Sequence, residues 1–136
     1  MSKLLVDTNV LSEARRTRPN PGFASWWASA PETDLYISAL TLGEIMRGIR
    51  RLEARDPVRS REYEEWYLAL KQSFAWRIVE VDEEVAECWG EITAGDPRPD
   101  IDALLAATAI VNGMTLVTRN EKHLAGLPVR VLNPFD

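Results

Sequence analysis

The sequence predicts an α/β fold with a central, mainly parallel sheet of about five strands flanked by helices. Two observations support this class. Short β-like runs alternate with longer helical stretches along the whole chain, and no repeat or low-complexity tract interrupts them. Because 136 residues make one domain of common size, we expect a single domain over residues 1–136.

The first half of the chain predicts two strands and four helices. An apolar run predicts a strand at 3–6, and the next β-like run predicts one at 35–37. Helical stretches follow each strand, and Asp56–Pro57 separates the last two of them. Ser38 is expected to cap the third helix. The four helices are predicted at 8–16, 22–30, 39–54 and 59–75.

The second half predicts three more strands and two helices. The strands are expected at 77–81, 115–118 and 129–132, and the helices at 82–94 and 102–112. Gly113 should end the long apolar helix. The segment Asp96–Pro97–Arg98–Pro99 predicts a rigid loop, from which Asp100 would project as a solvated acid and Asp102 would begin the helix.

Composition argues against several classes of protein. Hydrophobic residues make up 46% of the chain, which argues against intrinsic disorder. No apolar run approaches the roughly 20 residues that span a bilayer, and no signal peptide precedes Asp7. We therefore expect a soluble, cytoplasmic protein. The single Cys88 excludes an intramolecular disulfide and a thiolate metal cage.

The net charge of −5 is unevenly distributed. Residues 1–61 contain 10 Lys and Arg against 7 Asp and Glu, whereas residues 62–136 contain 6 against 14. An acidic total argues against tight, nonspecific binding of nucleic acid. It still permits a nucleic-acid enzyme in which a local Arg cluster and metal ions supply the positive field.

Three acids, Asp7, Glu44 and Asp102, are the most informative residues. Asp7 closes the first predicted strand, Glu44 lies in the helix after the second, and Asp102 begins the long apolar helix. Sites in parallel α/β sheets collect at the carboxyl ends of the strands, so we expect these acids to meet Thr118–Arg119–Asn120 at one rim. Carboxylates beside so much apolar sequence need a counter-charge, and hard oxygen ligands suit Mg²⁺ or Mn²⁺.

These residues stand in four blocks that, in order and spacing, resemble the PIN-domain nucleases, specifically the toxin ribonucleases of the VapC type. The blocks are Leu5–Val10, Ser38–Ile45, Asp102–Ala109 and Leu116–Asn120. The resemblance implies a PIN-like fold and a Mg²⁺-dependent endoribonuclease, with Mn²⁺ as a substitute, that a cognate antitoxin silences. It also implies a homodimer, and DNA binding only indirectly, through the antitoxin.

Carried over position by position, the resemblance assigns catalytic and metal-binding roles to Asp7, Glu44 and Asp102. It assigns supporting polar roles to Thr8, Asn9, Thr118 and Asn120. The fourth block departs from the family, because Asn120 is neutral where many relatives have an acid. A later position that is often Asp or Glu is His123, for which we expect a surface location. This departure predicts a weaker hold on a second metal ion.

The expected chemistry is hydrolysis of a phosphodiester. A divalent ion on these carboxylates would orient a water for in-line attack, which leaves a 5′-phosphate and a 3′-hydroxyl. A metal-free ribonuclease would use a general acid–base pair, usually two histidines, and this chain has one. Arg47 and Arg51 share a predicted helix face and are candidates for contacts with RNA phosphates or antitoxin carboxylates.

Five alternatives stay open. Asp7 could be only a helix cap, and Thr41-x-x-Glu44 only a capping box. The chain could be a phosphatase of the haloacid-dehalogenase kind with a nucleophilic Asp7, although Asn9 replaces the second acid expected there. It could also be a PIN-like domain that is catalytically weak or inactive and binds a protein partner. One face of the fourth predicted helix carries an apolar stripe, which could pack in the core or hold an antitoxin helix. Its residues are Tyr63, Trp66, Tyr67 and Leu70.

Overall fold

The computed structural model describes residues 2–136 as alternating strands and helices. Its strands are β1 (Leu4–Val6), β2 (Leu35–Ser38), β3 (Ile78–Val79), β4 (Thr115–Val117) and β5 (Val131–Leu132). Its α-helices are α1 (Thr8–Ala14), α2 (Pro21–Ser29), α3 (Ala39–Glu53), α4 (Pro57–Ser73), α5 (Glu83–Thr93) and α6 (Asp100–Val111). Two 3-10 helices lie at Glu32–Asp34 and Glu121–Leu124. None of the helices in this range combines the length and apolar composition needed to span a bilayer.

The five strands form one sheet in the order β3-β2-β1-β4-β5. All four pairings are parallel, so the predicted α/β class with a parallel sheet is confirmed. The chain builds outward from β1 in one direction through β2 and β3, then in the other through β4 and β5. Such a switch in direction opens a crevice beyond the carboxyl ends of the central strands, here β1 and β4. Asp7 and Thr118 are the residues that follow these two strands.

Hydrophobic cores lie on both faces of the sheet because strand side chains alternate. Val6 and Ile37 pack with Val10, Phe23 and Ile45 on one face. The other face holds Leu5, Leu105, Ala106, Ala109 and Leu116. Helix α6 is buried over most of its length, which leaves its charged residues at its first turn. The α4 stripe also belongs to the first core, where Tyr67 is buried and its companions are partly buried, so the core alternative for the stripe is confirmed.

Several predicted boundaries differ from the structure. Helix α4 begins at Pro57 rather than residue 59, because proline suits a first-turn position whose N–H would be unpaired anyway. Helix α6 begins at Asp100, so the prediction that Asp100 lies in a proline-rich loop is wrong. Its placement in the first turn is favourable because the helix dipole attracts negative charge there. The predicted end of α6 is confirmed, since Gly113 follows it with φ +65°.

Candidate active site

An acidic cleft of about 330 Å³ opens at the carboxyl edge of the sheet. It is lined by the β1–α1 junction, α3, the start of α6 and the segment after β4, so the predicted convergence of four distant segments is confirmed. Its lining residues are Asp7, Thr8, Asn9, Glu44, Pro99, Asp100, Ile101, Asp102, Leu105 and Asn120. Within residues 2–136, no Lys or Arg lines this cleft. No lysine or arginine among the lining residues therefore balances the negative charges of this cleft.

Asp7 is almost fully buried, with 3% of its surface exposed. Its Oδ1 accepts a hydrogen bond from the Val10 N–H at 2.9 Å and so caps α1. Its Oδ2 accepts a hydrogen bond from the hydroxyl of Thr118, which is also buried. Asp7 is therefore a helix cap and a cleft residue at once, and the two interpretations of the sequence do not exclude each other.

The surroundings of Asp7 change its protonation equilibrium. Burial raises the pKa of Asp7 above its usual value, because the charged form loses its water. The Asp102 and Glu44 carboxylates raise it further by repulsion, while the hydrogen bonds from Thr118 and Val10 act in the opposite direction. A buried carboxylate whose ionised form is destabilised in this way is a candidate ligand for a cation.

Glu44 lies in the second turn of α3 and is held from the neighbouring helix. Thr8 Oγ1 donates a hydrogen bond to Glu44 Oε1 at 2.6 Å. Ser38 is the N-cap of α3, and its hydroxyl accepts from the Leu40 N–H at 3.0 Å. Thr41 is thus inside the helix, so the capping-box alternative for Thr41 and Glu44 is wrong. Glu44 therefore lies at the cleft and also joins α3 to α1 through its hydrogen bond with Thr8.

Asp102 and His123 form a contact that the sequence did not predict. His123 Nδ1 lies 2.6 Å from Asp102 Oδ2, and because an ionised carboxylate only accepts, the ring nitrogen donates. His123 is exposed, as expected, but the 3-10 helix Glu121–Leu124 turns it toward the first turn of α6. The one feature of the sequence that pointed to this contact is that His123 stands where the PIN-domain nucleases often have an acid.

The remaining predicted site residues divide into two groups. Thr8, Asn9 and Asn120 line the acidic cleft, as does Asp100, and Thr118 reaches it through Asp7. Arg47 and Arg51 are exposed on α3 and do not line the cleft. Their contact with RNA or with an antitoxin stays a prediction.

The donor atoms at the cleft fit a hard divalent cation. The four lining carboxylates, Asp100 included, and the side-chain carbonyls of Asn9 and Asn120 are oxygen ligands of the kind Mg²⁺ prefers. In the conformation observed, no group of three or more His, Cys, Asp or Glu side chains within residues 2–136 is arranged to hold a metal ion. Glu44 and Asp102 are instead hydrogen bonded to Thr8 and His123. Glu44 Oε2 and Asp102 Oδ1 accept no hydrogen bond from residues 2–136, so each of these carboxylates keeps one oxygen for a cation.

Known proteins resemble this chain over nearly its whole length. The family model of the PIN domain matches residues 4–126. Toxin FitB of Neisseria gonorrhoeae is 34% identical over 139 residues, covering 97% of this chain and 98% of that protein. VapC ribonuclease Y4jK of Sinorhizobium fredii is 26% identical, covering 98% of each. The solved structure of FitAB bound to IR36 DNA fragment has a TM-score of 0.87 at 32% identity, covering 98% of this chain and 96% of that chain. The expected PIN-like fold is confirmed, and the chain belongs to the PIN-domain family.

Proposed function

We propose that this protein is the endoribonuclease toxin of a toxin–antitoxin pair and that it hydrolyses RNA phosphodiester bonds with Mg²⁺, for which Mn²⁺ can substitute. The observation that carries the proposal is the buried Asp7 beside Glu44 and Asp102, in a cleft that no Lys or Arg of residues 2–136 lines. The relationship to toxin FitB and to a VapC ribonuclease over nearly the full chain supports it.

In the proposed reaction, the cation would be held by the carboxylate oxygens of Asp7, Glu44 and Asp102. The bound ion would orient a water for in-line attack and offset charge on the phosphoryl oxygens. Thr118 and the Val10 N–H fix the Asp7 carboxylate, so its orientation does not depend on the ion. The amides of Asn9 and Asn120 face the same space and are suited to hydrogen bonding with the water or the phosphate.

The proposed partners are a cognate antitoxin and RNA. A nuclease of this kind needs a partner that covers its cleft, and relatedness to a protein named as a toxin supports an antitoxin. The related FitAB is bound to a DNA fragment, whereas this chain carries a net charge of −5. We therefore propose that any contact with DNA runs through the antitoxin rather than through this chain.

RNA cleavage with mapped product ends tests the function. Purified protein without antitoxin is incubated with labelled total RNA in Mn²⁺ and in EDTA. The Asp102→Asn variant is tested beside Glu87→Gln, which neutralises an exposed acid on α5 away from the cleft. We expect cuts with 5′-phosphate ends that need Mn²⁺, persist in Glu87→Gln and vanish in Asp102→Asn. Cutting that survives in EDTA, or in Asp102→Asn, would contradict the proposal.

A further inference from the structure

We propose that a second cleft, next to the acidic one, binds the RNA phosphate adjacent to the phosphate that is cleaved, with Arg119 and Arg16 as its cationic groups. This inference rests on the proposed ribonuclease function. The second cleft has a volume of about 310 Å³. Its lining residues are Asn9, Ser12, Glu13, Arg16, Arg119 and Phe135.

The two clefts adjoin, because they share a lining residue. Asn9 lines both of them. Arg119 comes between Thr118, which donates to Asp7, and Asn120, which lines the acidic cleft. A strand with its scissile phosphate at the acids therefore passes over Asn9 as it enters the second cleft.

The acidic cleft makes a neighbouring cation necessary. RNA carries one negative charge per nucleotide, and the four carboxylates of the acidic cleft repel the phosphates that flank the scissile one. A metal ion would offset this repulsion only at the scissile position. Because no Lys or Arg of residues 2–136 lines the acidic cleft, the guanidinium groups of the second cleft are the ones placed to bind the next phosphate.

Arg119 is held in place while its donors stay free. Its guanidinium carbon lies 4.6 Å from the ring centroid of Phe135. Phe135 in turn stacks on the buried Phe23, with ring centroids 5.4 Å apart. Within residues 2–136, Arg119 makes no side-chain hydrogen bond or ion pair, so its N–H groups point to no protein acceptor. A planar, pre-ordered guanidinium with free donors suits bidentate recognition of a phosphate.

Glu13 does not cancel the positive charge of the second cleft. It is buried, and its Oε2 accepts a hydrogen bond from the Asn20 N–H at 2.7 Å, which fixes the turn before α2. Its Oε1 lies 3.5 Å from a nitrogen of Arg16, whose side chain is 64% exposed. One acid against two guanidinium groups leaves a net charge of +1, and the Ser12 hydroxyl adds a donor. The cleft therefore favours an anionic ligand.

The direct test measures binding of a fluorescein-labelled, mixed-sequence single-stranded RNA oligonucleotide. The Asp102→Asn background keeps the RNA intact. In it, Arg119→Gln should weaken binding about tenfold, the loss expected for a charge-assisted hydrogen bond. It should also lower the slope of log affinity against log salt by about 0.7, the value for one lost phosphate contact on a single strand. Arg61→Gln on α4 makes the same charge change, lines neither cleft and should alter neither quantity.

Two further variants separate geometry from charge. Arg119→Lys retains the positive charge but loses the planar pair of guanidinium donors. It should therefore keep the wild-type salt slope and bind RNA with an affinity between those of wild type and Arg119→Gln. Phe135→Leu removes the stacking surface beneath Arg119 and should weaken binding without changing the slope. In the active enzyme, Arg119→Gln should raise KM and leave kcat unchanged, because the guanidinium contacts a phosphate that does not react.

The outcomes distinguish this inference from the proposed function. If wild-type protein cleaves RNA while Arg119→Gln and Arg61→Gln bind with equal affinity and equal salt slope, the subsite is wrong and the nuclease stands. That result would favour an acidic protein partner, instead of RNA, as the ligand of the second cleft. If the wild type neither cleaves nor binds RNA, the proposed function fails and the subsite fails with it.

Discussion

Asp7 has a structural role and a proposed catalytic role, and its burial makes the charge that both roles use costly. As a helix cap it is fully satisfied by hydrogen bonds from Val10 and Thr118. As a buried carboxylate near Glu44 and Asp102 it has a raised pKa, so its ionised form lowers the stability of the metal-free protein. Proteins commonly accept such a cost at functional sites.

The Asp7→Asn variant should therefore be more stable than the wild type and inactive. The Asn carbonyl can still accept from Val10, and the amide can donate to Thr118, so the cap survives without the charge. In EDTA at pH 7 we expect the free energy of unfolding to rise by about 1 kcal/mol. Urea denaturation measures it, with Glu87→Gln as the control for a lost surface acid.

The pH dependence of this gain has a definite sign. A raised pKa in the folded state means that Asp7 costs no stability below its unfolded pKa and costs progressively more as the pH rises through its folded pKa. The advantage of Asp7→Asn should therefore shrink as the pH falls toward 3.8, the usual value for Asp. A variant less stable than wild type at pH 7 would contradict this account of Asp7.

His123 should orient Asp102 rather than merely occupy the surface. Hydrogen bonds to a ligating carboxylate typically change metal affinity by about 10–100-fold. We expect His123→Ala to weaken Mn²⁺ binding about tenfold. His123→Asn places an N–H near the Nδ1 position and should recover most of the affinity. Calorimetric titration measures the Mn²⁺ affinity of each variant. Equal affinities in wild type and His123→Ala would show that His123 does not orient Asp102 for metal binding.

At the scale of helices and strands, the sequence predicted where the acids meet but not how they are held. Parallel strands end at the same edge, so a strand that runs into Asp7 and one that runs into Thr118 had to bring these residues together. The Thr8–Glu44 and His123–Asp102 contacts span 36 and 21 residues. They depend on how neighbouring helices pack and on side-chain rotamers, which local patterns do not encode.

Local sequence patterns also failed to predict the start of α6 and one short 3-10 helix. The proline-rich segment 96–99 is a loop, as predicted, but α6 begins directly after it because Pro99 serves as its N-cap without a side-chain hydrogen bond. The 3-10 helix Glu121–Leu124 is too short and too polar to give a periodic signal. It nevertheless decides where His123 points.

The hydrogen bond from Thr8 to Glu44 joins α1 to α3 and should matter for both stability and catalysis. Thr8→Val keeps the side-chain shape but removes the donor, and hydrogen bonds to charged groups contribute about 1.5–3 kcal/mol. Because Thr8 is only partly buried, we expect a loss of about 1 kcal/mol in the free energy of unfolding, together with a lower kcat. Thr8→Ser retains the hydroxyl and should behave like the wild type. Chemical denaturation of the three proteins measures the loss, and a Thr8→Val variant as stable as the wild type would contradict the role of this hydrogen bond.

At the scale of the whole molecule, the expected homodimer stays a prediction with one conspicuous candidate contact. Trp76 is 95% exposed, and it lies just before β3, which is an edge of the sheet. A large apolar side chain beside a free strand edge is typical of an interface anchor. Sedimentation equilibrium should find a dimer for the wild type and for Arg61→Gln, and a monomer for Trp76→Arg. A Trp76→Arg dimer of unchanged affinity would exclude this face.

Calorimetric titration with Mn²⁺ tests the central claim most directly, namely that acids from three distant segments form one metal site. We expect saturable binding by the wild type that Mg²⁺ competes away. Affinity should be unchanged in Glu87→Gln and at least about tenfold weaker in Asp102→Asn, because one of three carboxylates is neutralised. A wild type that does not bind Mn²⁺, or an Asp102→Asn variant that binds it equally well, would contradict the claim and favour an inactive PIN domain that serves only to bind a protein partner.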